Sequence, residues 1–578
     1  MSSAGEKDSK GSNSPGERDG GHVLGATRTY SRDNDSAEAN KAALGPQPVD
    51  PLDAASKQWD FSDIDEKKLR RKIDFRLIPF LSLLYLLSFL DRSAIGNARL
   101  FHLEDELGMR GTQYNVAASI FYFSYAFFEV PSNVLLKRLT PSKWFGTITM
   151  LVGVCMLAQG VVTNYAGLLG ARFALGVAEA GLFPGAQLLL SGWYPRKSFG
   201  LRSAIFFSAA TVSGAFGGLL AVGLSKIRAG EYSEENDAWR WIFIVIGLAT
   251  FVAGVSAFWL CADFPDTAKF LTPKERAWVV ANLQADSQYS AAGESFTWRN
   301  FWKGWADIKT WVAALAYMGV DGPLYAFSVF TPTIIKSLGS YDSIESNLLS
   351  VPIYVFACIV TVAVGFLADR YGRRALINLI LIVVGIIGYA ILIGVDPRQT
   401  PGASYFGIYL AAAGIYPLIA NTIALTGSHI EGTYKRGVVM GVVISWGNIN
   451  GAATSQVYLP RQSPRYQMGH GIIILYLGIG WISSALYLYL IKRANAQRER
   501  GECSEIILDH MPESEAVPAA EEARAKAIAD VRAQGGGLRN RWKAIKMQLH
   551  MESGMTYASV DEAKRLRGDD YSGHRYSY

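Results

Sequence analysis

Apolar residues in this chain come in long blocks divided by short polar loops. A bilayer core of about 30 Å needs about 20 apolar residues in a helix. Twelve blocks reach or approach that length: 74–96, 113–136, 143–163, 166–192, 200–225, 240–262, 309–335, 347–368, 374–395, 403–427, 436–456 and 470–492. The pattern predicts an all-α membrane protein with twelve transmembrane helices, numbered here as spans 1 to 12 in chain order. A polar stretch divides the spans six and six. The expected organisation is therefore an N-terminal tail (1–60), a six-helix bundle (61–262), a central loop (263–308), a second six-helix bundle (309–493) and a C-terminal tail (494–578). The first tail, rich in Ser, Gly, Asp and Lys, has no core-forming pattern and reads as disordered. The second is polar, with a helix expected around residues 514–531.

Charge sets the orientation. Lys67, Lys68, Arg70, Arg71 and Lys72 precede span 1, and Lys137, Arg138 and Lys143 follow span 2. Arg196, Lys197 and Arg202 follow span 4, Arg370, Arg373 and Arg374 follow span 8, Lys435 and Arg436 follow span 10, and Lys492 and Arg493 close span 12. The alternate loops are neutral or acidic, as at Glu104-Asp105-Glu106 and at residues 231–237. Basic loops stay in the cytosol, so both termini are expected there. The formal charge of +6 thus belongs to membrane topology and gives no nucleic-acid signal. Residues 1–60 contain no apolar stretch of the signal-peptide kind, so span 1 is expected to act as the insertion signal. The sequon at Asn34 lies on the predicted cytosolic side and is expected to stay bare. Cys155, Cys261, Cys358 and Cys503 show neither metal nor redox spacing. No phosphate-binding glycine loop or catalytic triad pattern suggests an enzyme, and no cofactor is implied.

The candidate chemistry lies inside the spans. A charge at mid-bilayer costs about 2.5–3.5 kcal/mol on insertion scales, so such residues line wet cavities or pair with one another. Arg172 and Glu179 are seven residues apart in span 4, almost two helical turns, and share a face. Asp91 and Arg92 are adjacent in span 1. Arg grips a carboxylate with a two-pronged fork and keeps its charge. A buried acid is the usual proton carrier. Asp91–Arg172 or Arg92–Glu179 would equally serve as structural ion pairs. Glu129, before Pro131 in span 2, and Asp321, before Gly322-Pro323 in span 7, are further proton-coupling candidates or structural hydrogen-bond partners. His429 is expected to be solvated at the end of span 10. Tyr325 and Phe327 in span 7, Tyr416 in span 10, and Trp446, Asn448 and Asn450 in span 11 are candidates for cargo selection.

Between spans 8 and 9 the chain reads Gly365-Phe-Leu-Ala-Asp369-Arg370-Tyr-Gly372-Arg373-Arg374. Gly365 allows two helices to approach. Asp369 is placed to pair with a nearby Arg or to meet a neighbouring helix N-terminus. Gly372 permits a tight turn, and Arg373 and Arg374 are expected to anchor to the anionic leaflet. Arg370 belongs to the same basic loop. This run resembles the loop signature of the major facilitator superfamily. Its first-half counterpart, Asn133 to Lys143, departs from the signature, with Lys137 in the Asp place. Basic loops recur 232 and about 237 residues apart, as a duplicated six-helix unit would give. Repeats of that kind hold their substrate site near mid-membrane.

Further segments, LYLLSFLDRSAIGNA (84–98), FFEVPSN (127–133), ALGVAEAGLFPG (174–185), FFSAATVSGAFGGLL (206–220) and SPRYQMGHG (463–471), resemble the fungal anion:cation symporter branch, which includes allantoate, nicotinate, pantothenate and biotin permeases. The resemblance implies the two-bundle, pseudo-symmetric major facilitator fold. It implies Arg92 and Arg172 as anion ligands and Asp91 and Glu179 as proton carriers, with protons as the coupling ion. It further implies a monomer in the plasma membrane that takes up a small organic anion. A nutrient receptor that keeps the carrier fold and signals through its tails is the alternative. An exporter of cationic drugs is disfavoured by the two arginines.

Overall fold

The computed structural model describes residues 59–136, 139–224, 238–285, 298–339, 341–430, 433–501, 505–508, 511–533 and 538–567, together with Asp570 and Ser572. The Asn34 sequon, Lys137, Arg138, the acidic loop 231–237 and Cys503 lie outside the described residues.

Each predicted span is a helix. Span 1 is Glu66–Arg99, span 2 Gln113–Leu136, span 3 Pro141–Gly160, span 5 Arg196–Leu224 and span 6 Ala238–Leu260. Spans 7 to 12 are Ile308–Ser337, Ser343–Tyr371, Arg374–Gly394, Pro401–Ser428, Thr433–Thr454 and Gln467–Glu499. Span 4 comes in two pieces, Tyr165–Glu179 and Leu182–Ser191. Among the described residues, ten helices are long and apolar enough to cross a membrane; spans 2 and 11 stand outside that set.

Local sequence explains the helix ends. Asp65 caps span 1 by accepting from the Lys67 and Lys68 amides, and Asp342 and Glu345 form a reciprocal capping box at span 8. Pro141 and Pro401 open spans 3 and 10, where a missing N–H does no harm. Gly372 ends span 8 with φ +65°, a left-handed turn that glycine adopts without penalty.

The packing repeats between halves. Span 1 lies on spans 5 and 6 as span 7 lies on spans 11 and 12, and the pairs 2–4, 3–4 and 3–6 recur as 8–10, 9–10 and 9–12. Two seams join the halves: span 2 runs along span 11, and span 5 along span 8. Spans 7 and 10 are 89% buried over their apolar windows and spans 9 and 12 only 33%, which separates a central layer from an outer, lipid-facing one.

The C-terminal tail is more than one helix. Helices Glu513–Ala533, Leu538–Gln548 and Val560–Arg567 and a parallel strand pair, Ile506–Ile507 with Thr556–Tyr557, enclose a small core of Val531, Met547, Met555 and Tyr557. This lobe meets the central-loop helix Trp298–Ala306, where Lys303 donates to the carbonyls of Leu566 and Arg567.

Candidate functional site

Spans 1, 4 and 7 bring the predicted charges together at the centre of the bundle. Arg92 is 4% exposed. Its Nη2 donates to Glu179 Oε1 (2.7 Å) and its Nη1 to the Tyr325 hydroxyl (2.7 Å). Ser88, one turn before Arg92, donates to the same Glu179 oxygen (2.5 Å). Four rings surround the guanidinium, Phe89, Phe121, Tyr125 and Tyr325, with centroids 4.9–5.5 Å from its carbon. Glu179 is the last residue of the first piece of span 4. Gly181, which opens the second piece, sits against Ser132 and Trp144, where a Cβ would collide.

From Tyr325 a polar chain crosses between the halves. Tyr325 donates to Asn448 Oδ1 (2.5 Å), and Asn448 Nδ2 donates to Glu129 Oε2 (3.1 Å). Spans 1 and 2 of the first half are thereby tied to spans 7 and 11 of the second. Asp91 points the other way, accepting from Thr250 of span 6 (3.1 and 3.3 Å).

Arg172 differs from Arg92. It is 1% exposed, yet among the described residues its Nε and Nη2 meet no hydrogen-bond acceptor. The Phe243 ring lies 6.0 Å away, and Tyr114 and Tyr122 stand close enough to act on its charge. Asp91 and Glu179 lie within its electrostatic reach without bonding it. A buried guanidinium without bonded acceptors is a ready clasp for an incoming carboxylate.

Contacts between the halves stand at both ends of the bundle. At the Asp369 end, Gly365 lies so close to Ala204 of span 5 that a Cβ would overlap it. Asp369 accepts from the Leu201 amide of span 5 (2.7 Å) and pairs with Arg374. At the opposite end, Asn115 Nδ2 donates to the Ser455 carbonyl (2.6 Å), Ser119 Oγ to the Ala452 carbonyl (3.0 Å) and Gln456 Nε2 to Ser119 Oγ (2.8 Å), all along the seam of spans 2 and 11.

The sequence profile of the Major Facilitator Superfamily matches residues 81–455. The chain belongs to that superfamily. It is a transporter embedded in the membrane, and its relatives agree. It is 36% identical to the MFS-type transporter cnsO of Penicillium expansum, over 77% of this chain and 87% of that one. It is 32% identical to the high-affinity nicotinic acid transporter of Saccharomyces cerevisiae, over 75% and 79%. Among solved structures it resembles the proton:xylose symporter XylE (TM-score 0.55, 14% identity, 72% of this chain and 96% of that one). A bacterial homologue of the human lysosomal transporter Spinster gives a TM-score of 0.53 at 16% identity, over 73% and 97%. At such identities the likeness is one of fold.

Some predicted site residues of this transporter lie away from the centre of the bundle, and others are placed or paired differently from expectation. Trp446 is 40% exposed and meets Trp311 edge-on, and Asn450 bonds to Trp446 and Tyr476 on the outer side of span 11. Asn448 is two residues from each, about 200° around the helix, so these three cannot line one chamber. Tyr416 is fully buried, packed edge-on against Phe327 and Tyr354 in the second half. Asp321 is 1% exposed and faces Gly447 of span 11, where a Cβ would stand 2.7 Å from Oδ2. Glu129 finds its partner across the halves rather than at the turn before Pro131. Arg374 does not reach the leaflet: it is 9% exposed, held by Asp369 and by Asn421 (3.1 Å). Arg370 and Arg373 are exposed. His429 is 3% exposed, its Nδ1 3.1 Å from the Tyr487 hydroxyl, so it is not a solvated residue.

Sequence reasoning missed Ser88, Thr250 and Tyr125. Ser88 had a signal, since it stands four residues before Arg92 on the same face. Thr250, one of two hydroxyls in an apolar run with Ser256, had none. Cys155, Cys261 and Cys358 are free thiols.

Proposed function

We propose that this transporter takes a small organic monoanion into the cell together with a proton, by alternating access. The observation that carries the reading is Arg172, a buried guanidinium with unbonded N–H groups, beside two buried acids. An anion entering an inside-negative cell works against about 2.3 kcal/mol per 100 mV. One proton carried alongside cancels that penalty. Arg172 is the first clasp for the cargo carboxylate. Glu179 is the proton carrier: once protonated it releases Arg92, which then turns to the anion. Because Arg92 also holds Tyr325, and through Asn448 reaches Glu129, its release loosens the tie between the halves. Asp91, Glu129 and Asp321 are secondary proton positions. A nicotinate-like cargo is supported by the 32% identical nicotinic acid transporter, and an allantoate-like one by the sequence resemblance to the anion:cation symporters. The Asp369 end and both termini are assigned to the cytosol, and the bundle to a monomer in the plasma membrane, on the Lys and Arg distribution and the family resemblance.

The test is uptake of labelled nicotinate, allantoate, pantothenate and biotin at two external pH values. Uptake of one of them should rise as external pH falls. Arg172→Ala should abolish it. Glu179→Gln should retain exchange of internal for external cargo while losing accumulation. Full uptake by Arg172→Ala, or accumulation that ignores pH, would sink the reading.

A further inference from the structure

The central-loop helix Trp298–Ala306 carries three tryptophans that no part of the transport site uses. Trp298 is 67% exposed, Trp302 51% and Trp305 40%. Their spacing of four and three places them on one helical face. The other side of the helix is occupied by protein. Gly304 lies against span 11, where a Cβ would stand 3.2 Å from Val438 and 3.3 Å from Val439. Lys303 is 4% exposed and bonded to the C-terminal lobe. The helix is therefore held from behind with its indoles facing outward.

We propose that this helix is an interfacial anchor whose partner is the headgroup region of the bilayer at the Asp369 end of the bundle. Indoles are amphipathic and gather at that depth, with the ring in the apolar boundary and the N–H toward water. The exposed strip continues directly onto the lipid-facing surface. Trp305 meets Trp311 edge-on (4.9 Å), Trp311 meets Trp446 (5.9 Å), and Ile308, the first residue of span 7, is 63% exposed. A contiguous apolar strip marks an interaction site rather than ordinary surface. Its continuity with the outer faces of spans 7 and 11 selects lipid as the occupant. The lobe behind Lys303 acts as a brace that keeps the indoles turned to the membrane. The anchor does not depend on which anion is carried.

The test uses the full chain in liposomes, with its four native cysteines replaced by Ser and one spin label placed through Trp298→Cys, Trp302→Cys or Trp305→Cys. Labels at Ile387→Cys, on the lipid face of span 9, and Glu522→Cys, on the exposed tail helix, serve as references. Collision with oxygen relative to a water-soluble nickel chelate should fall between the two references at all three tryptophan positions. A ratio equal to that of Glu522→Cys overturns the proposal. So does low collision with both reagents, which would mean that a second copy or another protein covers the face. Should the cysteine-free chain fold poorly, the native chain and a Trp298→Ala/Trp302→Ala/Trp305→Ala variant are compared with bromine-labelled lipids. The variant should lose part of the tryptophan quenching from labels near the headgroups, and unchanged quenching overturns the anchor.

Discussion

Replacing Arg92 should destabilise the protein, and replacing Arg172 should not. Arg92 is bonded to Glu179 and Tyr325 and enclosed by four rings. Arg92→Gln strands the Glu179 carboxylate in a buried place, and breaking a buried pair from one side costs about 3–5 kcal/mol. Arg172 leaves two N–H groups without acceptors, and each unsatisfied buried donor costs about 1–3 kcal/mol. Arg172→Met removes that penalty. It also removes an attraction for Asp91 and Glu179, but Arg172 is bonded to neither. The net change should lie within about 1 kcal/mol of the wild type or on the stable side, as expected when a functional charge is removed. The assay is thermal unfolding in detergent with and without cargo. Cargo at a hundred times its Kd should add about 2.7 kcal/mol to the wild type and nothing to Arg172→Met. If Arg172→Met melts as early as Arg92→Gln, the guanidinium is a structural element and the argument fails.

Three other outcomes follow from contacts described above. Gly365→Val must push span 8 away from span 5 at Ala204; over-packing of that kind costs about 1–3 kcal/mol. It should make Ser198→Cys, one turn before Leu201 on span 5, react faster with a water-soluble maleimide. Ser119→Cys with Ala452→Cys should cross-link spans 2 and 11, because the Ser119 hydroxyl touches the Ala452 carbonyl at 3.0 Å; oxidation should stop uptake and reductant restore it. In the C-terminal lobe, burial and the nearby Arg299, Arg524, Lys303 and Arg567 pull the His550 pKa down to about 3. An unfolded histidine titrates near 6.5. The folded lobe thus binds fewer protons, and the contribution present above pH ~6.5 is lost as pH falls toward 3. Proteolysis of the tail should accelerate from pH 7 to pH 5 in the wild type and less so in His550→Phe.

The helices were legible because lipid imposes a simple rule. About twenty apolar residues cross it, and any charge among them needs a reason. That rule led to Asp91, Arg92, Arg172 and Glu179, and the structure brings them to one region. It could not say which of two arginines takes which acid, because sequence holds no distance between spans 1 and 4. Periodicity tells which residues share a face but not which way the face turns, and Trp446 and Asn450 went astray on that point. Arg374 was misread because a basic residue beside a span suggests lipid, whereas the left-handed turn at Gly372 swings it inward to Asp369 and Asn421. The tail lobe was hidden because its core is small and its helices are polar over most of their surface.

The two seams between the halves are counterparts of each other. Span 2 stands to the first half as span 8 does to the second, and spans 5 and 11 correspond in the same way. In the proposed alternating access, a tilt that pivots on these seams would part the bundle at one mouth and close it at the other. Under that proposal both openings share one hinge, and a substitution that stiffens one seam should be offset by softening its twin.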